Sequence, residues 1–135
     1  MLVKININVT EQIYKAFESR DKSQNRIYGI LLGSIEGKDT FHVKHCILGA
    51  LMESEHGLER DTKTLNSILQ IYNNHYPKQV ILGGFSFDNQ LFHELHYLFT
   101  TINEFSKQKN SNKILLLFNS IVTDQETFRI KVDYK

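Results

Sequence analysis

Residues 26–35 read RIYGILLGSI, and this stretch decides the fold. The run is too apolar for a strand with one face in water, so it predicts a strand that is buried on both faces near the centre of a sheet. Gly29 and Gly33 punctuate this strand and allow a neighbouring element to approach it closely. Residues 36–39 predict a tight turn, and TFHVKHCIL of residues 40–48 predicts the second strand of a hairpin.

Three further strands are predicted on the C-terminal side of this hairpin. QVILGGFSF of residues 79–87 and KILLLF of residues 113–118 are again apolar enough for strands that are buried on both faces. From Phe128 onwards, apolar residues alternate with charged ones, which predicts a strand with a single buried face. The sheet is therefore expected to be broad, with two-faced strands at its centre.

The N-terminal segment predicts a strand followed by a helix. Apolar residues alternate with polar ones from Val3 to Val9, and this period of two is typical of a half-buried strand. Thr10 is then expected to cap a first helix, which runs to Arg20 and has one narrow apolar stripe.

Two more helices are predicted before and after residues 79–87. Asp61 or Thr62 is expected to cap the second helix, and Pro77 follows its end. Its apolar stripe recurs at helical spacing and consists of Leu65, Ile68, Leu69 and Tyr72. Asp88 or Asn89 is expected to cap the third helix, whose stripe consists of Leu91, Leu95, Leu98, Ile102 and Phe105.

The chain is expected to form one domain that spans residues 1–135, a length that matches a single hydrophobic core. Residues 49–60 have no periodicity and predict a loop. In all, about six strands and about three helices are expected. This predicts a mixed α/β (α+β) fold in which helices flank a central mixed sheet.

Composition excludes several classes of function. A formal net charge of +1 offers no strong field for DNA, RNA or an anionic membrane. The single Cys46 cannot form an intramolecular disulfide, no apolar run reaches about 20 residues, and MLVKININ of residues 1–8 lacks the positive head and apolar run that are typical of a signal peptide. We expect a cytoplasmic protein that does not act at a membrane and does not bind DNA directly.

Metal binding by the six histidines is not favoured by their spacing. His93 and His96 share a face of the predicted third helix, and with Asp88 they form the best available zinc set, but no further ligand is spaced to join them. The positions of His42 and His45 on a strand differ by an odd number, so we expect their side chains to point to opposite faces and not to chelate a metal together. Ordinary roles on a helix surface and on a strand are the favoured interpretation, and no cofactor is expected.

Neither a nucleophile nor a phosphate-binding loop is indicated. The apolar residues after Cys46 predict a buried structural thiol rather than a reactive one. Gly83 and Gly84 lack the spacing and the following lysine of a phosphate loop. The ESE triplet of residues 53–55 offers only two carboxylates, and we interpret it as a solvated acidic surface.

The order of elements, together with RIYGILLGSI at residues 26–35 and QVILGGFSF at residues 79–87, resembles the MPN domain family over nearly the whole chain. This family contains zinc-dependent isopeptidases and inactive structural relatives. In the catalytic branch, a Glu before the first buried strand, an H-x-H after the second, and a later Ser and Asp bind zinc and activate its water.

Carried over to this sequence, the resemblance implies a degenerate zinc site. The Glu position is Arg26, and the two His positions are Ser86 and Asp88, while the later Ser and Asp positions fall near His96 and Phe99. A cation repels Zn²⁺ and a serine is a poor substitute for imidazole, so the expected protein is a catalytically silent member of the family.

The resemblance further implies a scaffold that pairs with a second MPN subunit inside a larger assembly. The apolar residues expected to contact partners are Met52 in the predicted loop and Leu91, Phe92 and Leu95 in the predicted third helix, with a core role as the alternative. Two departures from the family pattern stand out. Gly84-Phe85 replaces a usual Trp-Tyr, and the C-terminal helices of the family are not expected within residues 1–135.

Overall fold

A computed structural model describes residues 2–19, 27–37, 40–48, 51–54, 57–87, 92–106, 113–118 and 128–133. The helices are α1 (Ile7–Glu18), α2 (Thr62–His75) and α3 (Phe92–Phe105). The strands are β1 (Leu2–Ile5), β2 (Ile27–Glu36), β3 (Thr40–Leu48), β4 (Leu51–Ser54), β5 (Gly57–Arg60), β6 (Val80–Phe87), β7 (Lys113–Phe118) and β8 (Phe128–Asp133).

Six strands form one mixed sheet in the order β1-β3-β2-β6-β7-β8. The apolar strand β2 lies between β3 and β6 and is antiparallel to both, which confirms its predicted central place and the predicted hairpin. β1 pairs with β3 and β6 pairs with β7 in parallel, whereas β7 and β8 are antiparallel. The mixed α/β (α+β) fold class, with a sheet of about six strands and three helices, is thus confirmed.

The three helices cover both faces of the sheet. On one face, α1 packs Val9, Ile13 and Phe17 onto residues of β2, β3, β6 and β7. On the other face, Leu65 of α2 and residues Leu98 and Ile102 of α3 pack onto the same four strands. Because both faces are covered, β2, β6 and β7 have to be mainly apolar on both sides, and this explains their predominantly apolar runs.

The predicted boundary between β1 and α1 is wrong. The helix begins at Ile7 with Asn6 as its N-cap, rather than after Thr10, and it ends at Glu18. Ile7 is 76% exposed while Val9 is fully buried, so these two residues serve a helical turn and not a strand. The buried stripe of α1 is Val9, Ile13 and Phe17, a spacing of four that overlaps the alternation seen from Val3 onwards.

The loop predicted for residues 49–60 is also wrong in part. Within it, β4 and β5 form a separate antiparallel pair, in which Leu51 lies opposite Arg60 and Ser54 lies opposite Gly57. Strands of four residues are too short to show a clear period of two, so the sequence offers little signal for them.

The predicted cap of α2 is confirmed. Asp61 precedes the helix, and its carboxylate accepts a hydrogen bond from the Thr64 backbone N–H at 3.0 Å and another from the Thr64 hydroxyl at 2.7 Å. These bonds lower the pKa of the Asp61 carboxyl. They fix where α2 starts, and the helix then reaches His75, two residues before Pro77.

Cys46 is buried, as predicted, and its sulfur donates toward Gln12 Oε1 across 3.4 Å. Burial raises the pKa of this thiol to about 11. At about pH 8, its thiolate fraction is therefore roughly 200-fold below that of an ordinary thiol.

We expect the folded chain to react with Ellman's reagent at least about 100-fold more slowly than the chain in concentrated guanidinium chloride. The reaction is followed by absorbance at about pH 8, with glutathione as a control for the reagent in each solvent. Equal rates in the folded and unfolded chain would show that Cys46 is accessible and ionised.

Candidate functional site

The start of β2 and the end of β6 lie side by side at one edge of the sheet. Ile27 pairs with Phe87 and Tyr28 pairs with Ser86 in the antiparallel register. Arg26 directly precedes β2 and Asp88 directly follows β6, so the chain enters and leaves these two strands at this same edge. The two segments to which the family resemblance assigns the first Glu and the H-x-H therefore lie next to each other.

Ser86 is the carried-over position that the structure describes in full. It lies in β6, is fully buried, and is flanked by Tyr28 on β2 and Leu117 on β7 in the register of the sheet. A short hydroxyl within a packed sheet does not fit zinc, which favours imidazole, thiolate or carboxylate donors. Arg26 and Asp88 lie outside the described residues, as do the side chains of His93, His96 and Phe99.

No group of three or more metal-binding side chains occurs among the residues whose positions are described. His42 and His45 have different partners. His42 contacts Glu36 Oε1 through Nδ1 at 3.0 Å and Asn6 Oδ1 through Nε2 at 2.7 Å. His45 Nδ1 lies 2.8 Å from Gln79 Oε1.

The prediction assumed that regular alternation along the strand separates these two histidines. Alternation is not the cause, because β3 is irregular between them. The register of β2 and β3 shifts between Leu32 and Gly33, so that Leu32 faces His45 and Gly33 faces Val43. Val43 and Cys46 consequently share one core cluster, although their positions differ by three. The bulge reverses the alternation, and sequence spacing alone does not reveal it.

Gly84 explains one departure from the family pattern. An added Cβ at this position would lie 2.6 Å from Ile102 Cδ1, 3.2 Å from Leu98 Cδ2 and 3.0 Å from the Gly29 carbonyl oxygen. The space that a family tryptophan would need is therefore filled by α3. The neighbouring Phe85 is fully buried on the opposite face, in the cluster that includes α1.

The residues predicted to contact partners fall on parts of the chain where side chains are not described. Met52 lies in β4 rather than in a loop, because residues 51–54 form a strand. Phe92 and Leu95 lie in α3, as predicted, and Leu91 is outside the described residues. Their contact with a partner stays a prediction.

A cluster that was not predicted from the sequence lies at the opposite end of β6. The ring centroid of His45 is 4.4 Å from that of Tyr76 and 5.4 Å from that of Tyr72. Burial raises the pKa of the Tyr72 phenol, with smaller contributions from Cys46 and Tyr76. The available signal was the spacing of Tyr72 and Tyr76 by four residues, one helical turn, at the end of α2.

Comparison with known proteins agrees with this architecture. The family model described as JAB1/Mov34/MPN/PAD-1 ubiquitin protease matches residues 2–91. The solution structure of protein DSY2949 from Desulfitobacterium hafniense superposes with a TM-score of 0.60 at 13% identity, covering 100% of this chain and 86% of that one. That likeness concerns the fold alone. No curated protein matches the sequence.

The fold is that of an α/β domain with a mixed sheet and helices on both faces. The match to a family model identifies the family of this domain. The matched segment contains 90 of the 135 residues, so the chain belongs to the MPN (JAB1/Mov34/MPN/PAD-1) family. Within the described part of the chain, no helix combines the length and the apolar character needed to cross a membrane.

Proposed function

We propose that the chain is a non-catalytic MPN domain that works as a scaffold, holding partner proteins together. The observation that carries this proposal is Ser86, a fully buried hydroxyl at the position to which the resemblance assigns the first histidine of the H-x-H. Without that imidazole, zinc loses a neutral ligand that the catalytic branch requires.

The neighbouring positions support the same function. Arg26 brings a positive charge where the catalytic branch places a glutamate, and a cation there opposes Zn²⁺ instead of accepting a proton from its water. Asp88 replaces the second histidine and leaves a lone carboxylate. An isopeptidase needs a bound metal and a base together, and these three positions supply neither.

The assembly that we propose is eukaryotic translation initiation factor 3, in which the chain resembles the MPN component lettered F. The resemblance lies in residues 3–23, in RIYGILLGSI, in VKHC of residues 43–46 with the ESE triplet seven residues later, and in ILGGF of residues 81–85. The proposed partner is a second MPN-domain protein of the same factor, the component lettered H. The chain then supports initiation on the small ribosomal subunit, in the cytoplasm, through the complex.

Purification of the tagged chain from its native cells, followed by mass spectrometry, tests this assignment. We expect initiation factor subunits, including one more MPN protein, in about equal amounts with the bait. A tagged chain with Gly84→Trp, which we expect to misfold, serves as a control for contacts made by unfolded protein. Recovery of proteasome lid or signalosome subunits instead would replace the proposed assembly with one of its inactive MPN relatives.

Metal analysis tests the non-catalytic assignment separately. We expect the purified chain to hold less than about 0.1 zinc per molecule after dialysis against micromolar zinc, since no complete donor set is available. The competing function is a deviant isopeptidase that uses Asp88, His93 and His96. Stoichiometric zinc that is lost in His96→Ala and kept in the control His75→Ala would establish a zinc site at His96 and refute our assignment.

A further inference from the structure

An open cleft lies between the C-terminal half of α2, the connection to β6 and the end of α3, and its empty space of about 480 Å³ includes solvent at its mouth. Val80 at the start of β6 lines it, whereas Ser86 lies six residues further along the strand. At about 3.3 Å per residue, the cleft is roughly 20 Å from the edge to which the zinc positions were assigned. It is a separate site, and binding of a ligand there does not depend on the proposed function.

The floor of the cleft is apolar, and its wall is aromatic. Leu32, Leu69, Val80, Ile81 and Phe105 form the apolar part, and the rings of Tyr72 and Tyr76 line the same space. The remaining lining residues are the neutral amides Asn73 and Gln79. Because no Asp, Glu, Lys or Arg contributes to the lining among the described residues, an ion entering the cleft would lose hydration without gaining a counter-charge.

The polar rim of the cleft is held in one orientation. Gln79 Oε1 lies 2.8 Å from His45 Nδ1, and since an amide oxygen only accepts, this contact places the proton on Nδ1. The Gln79 backbone N–H also donates to the Tyr76 carbonyl at 3.0 Å. With its oxygen directed to the imidazole, the Gln79 side chain has its NH₂ group available to donate in another direction.

The aromatic wall is fixed by the same histidine. His45 packs against both tyrosines, with its ring centroid 4.4 Å from that of Tyr76 and 5.4 Å from that of Tyr72, and the two tyrosine centroids are themselves 6.2 Å apart. Tyr76 is 42% exposed, so one part of its ring remains available to a ligand. A rigid, half-open aromatic wall beside an apolar floor suits a flat ring better than a flexible aliphatic chain.

We propose that this cleft is a binding site for a small, uncharged aromatic molecule that has a carbonyl acceptor at its edge. The ring packs against the two tyrosines and the apolar floor, and the carbonyl accepts a hydrogen bond from the Gln79 amide. The neutral lining complements a neutral ligand, and the amide donor complements its acceptor.

Benzamide is a suitable probe, and its binding can be followed by two-dimensional NMR of the ¹⁵N-labelled chain. We expect saturable shifts confined to residues around the cleft, with a dissociation constant on the order of 1 mM for a probe of about nine non-hydrogen atoms. Cyclohexanecarboxamide, which keeps the amide but lacks the aromatic ring, is expected to bind at least about fivefold more weakly, and benzylammonium is expected not to bind.

Two variants and a matched control complete the test. Tyr76→Ala and Gln79→Ala should each weaken benzamide binding by about fivefold or more, whereas Ile71→Ala, at a 58% exposed position outside the lining, should leave it unchanged. The folding of each variant is checked in the same NMR spectra. Absence of saturable shifts at the cleft, equal binding of cyclohexanecarboxamide, or full binding by Tyr76→Ala would overturn the proposal.

Discussion

Gly84→Trp is expected to lower the free energy of unfolding by about 4 kcal/mol or more, enough to unfold a domain of ordinary stability. Even a Cβ at this position would lie 2.6 Å from Ile102 Cδ1, so the indole would force α3 off the sheet. The chain contains no tryptophan, and the new residue therefore also reports its own exposure by fluorescence. Urea denaturation followed by circular dichroism measures the loss.

A double-mutant cycle tests whether contact between residue 84 and Ile102 causes this loss of stability. Gly84→Ala alone should lower the free energy of unfolding by about 1–3 kcal/mol, and the loss should be smaller when Ile102→Val has removed the methyl group that the new Cβ meets. A Gly84→Trp variant with the urea midpoint of the parent chain, or losses that simply add in the cycle, would show that α3 does not pack on Gly84 in this way.

Leu65→Ala should lower the free energy of unfolding by about 3 kcal/mol. Leu65 is the fully buried residue of α2, whereas Ile68, Leu69 and Tyr72 of the same helix are only partly buried against the core. Removal of its side chain leaves a cavity beneath a helix that has few other deep contacts. We therefore also expect faster amide hydrogen exchange throughout α2 than in β2 or β6.

Ile71→Ala is the matched control, because it removes a similar aliphatic side chain from the same helix at a 58% exposed position. It should change the free energy of unfolding by less than about 0.5 kcal/mol. Similar losses for Leu65→Ala and Ile71→Ala would contradict the placement of α2, since only one of the two residues contacts the sheet.

The centre of the fold could be predicted from sequence because burial on both faces leaves a simple pattern. β2, β6 and β7 are predominantly apolar runs, and their assignment needs no knowledge of their neighbours. At the N-terminus, Val9 satisfies both an alternating pattern with Val3 and a helical pattern with Ile13, so the boundary of α1 could not be decided locally. Tertiary packing selects the helix.

The Ser86 position and the cleft likewise differ in how far each could be predicted from the sequence. Ser86 could be predicted as a site position because it lies in a single strand, β6, and the resemblance of that strand to the family is enough to assign it. The cleft could not, since His45, Tyr72, Gln79 and Phe105 belong to different elements and come together only after α2 and α3 have packed. The bulge opposite Gly33 adds a second obstacle, because it changes the face to which His45 points.

The parallel pairing of β1 with β3 has a consequence for the time course of synthesis. β1 is made first, yet Leu2 pairs with Thr40 and Ile5 pairs with Val43, so its partner strand does not exist until a further 38 residues have been added. At about 5–20 residues per second, the N-terminal strand waits for roughly 2–8 seconds. Throughout that interval the nascent chain carries the apolar side chains of β1 and α1 without the strand on which they dock.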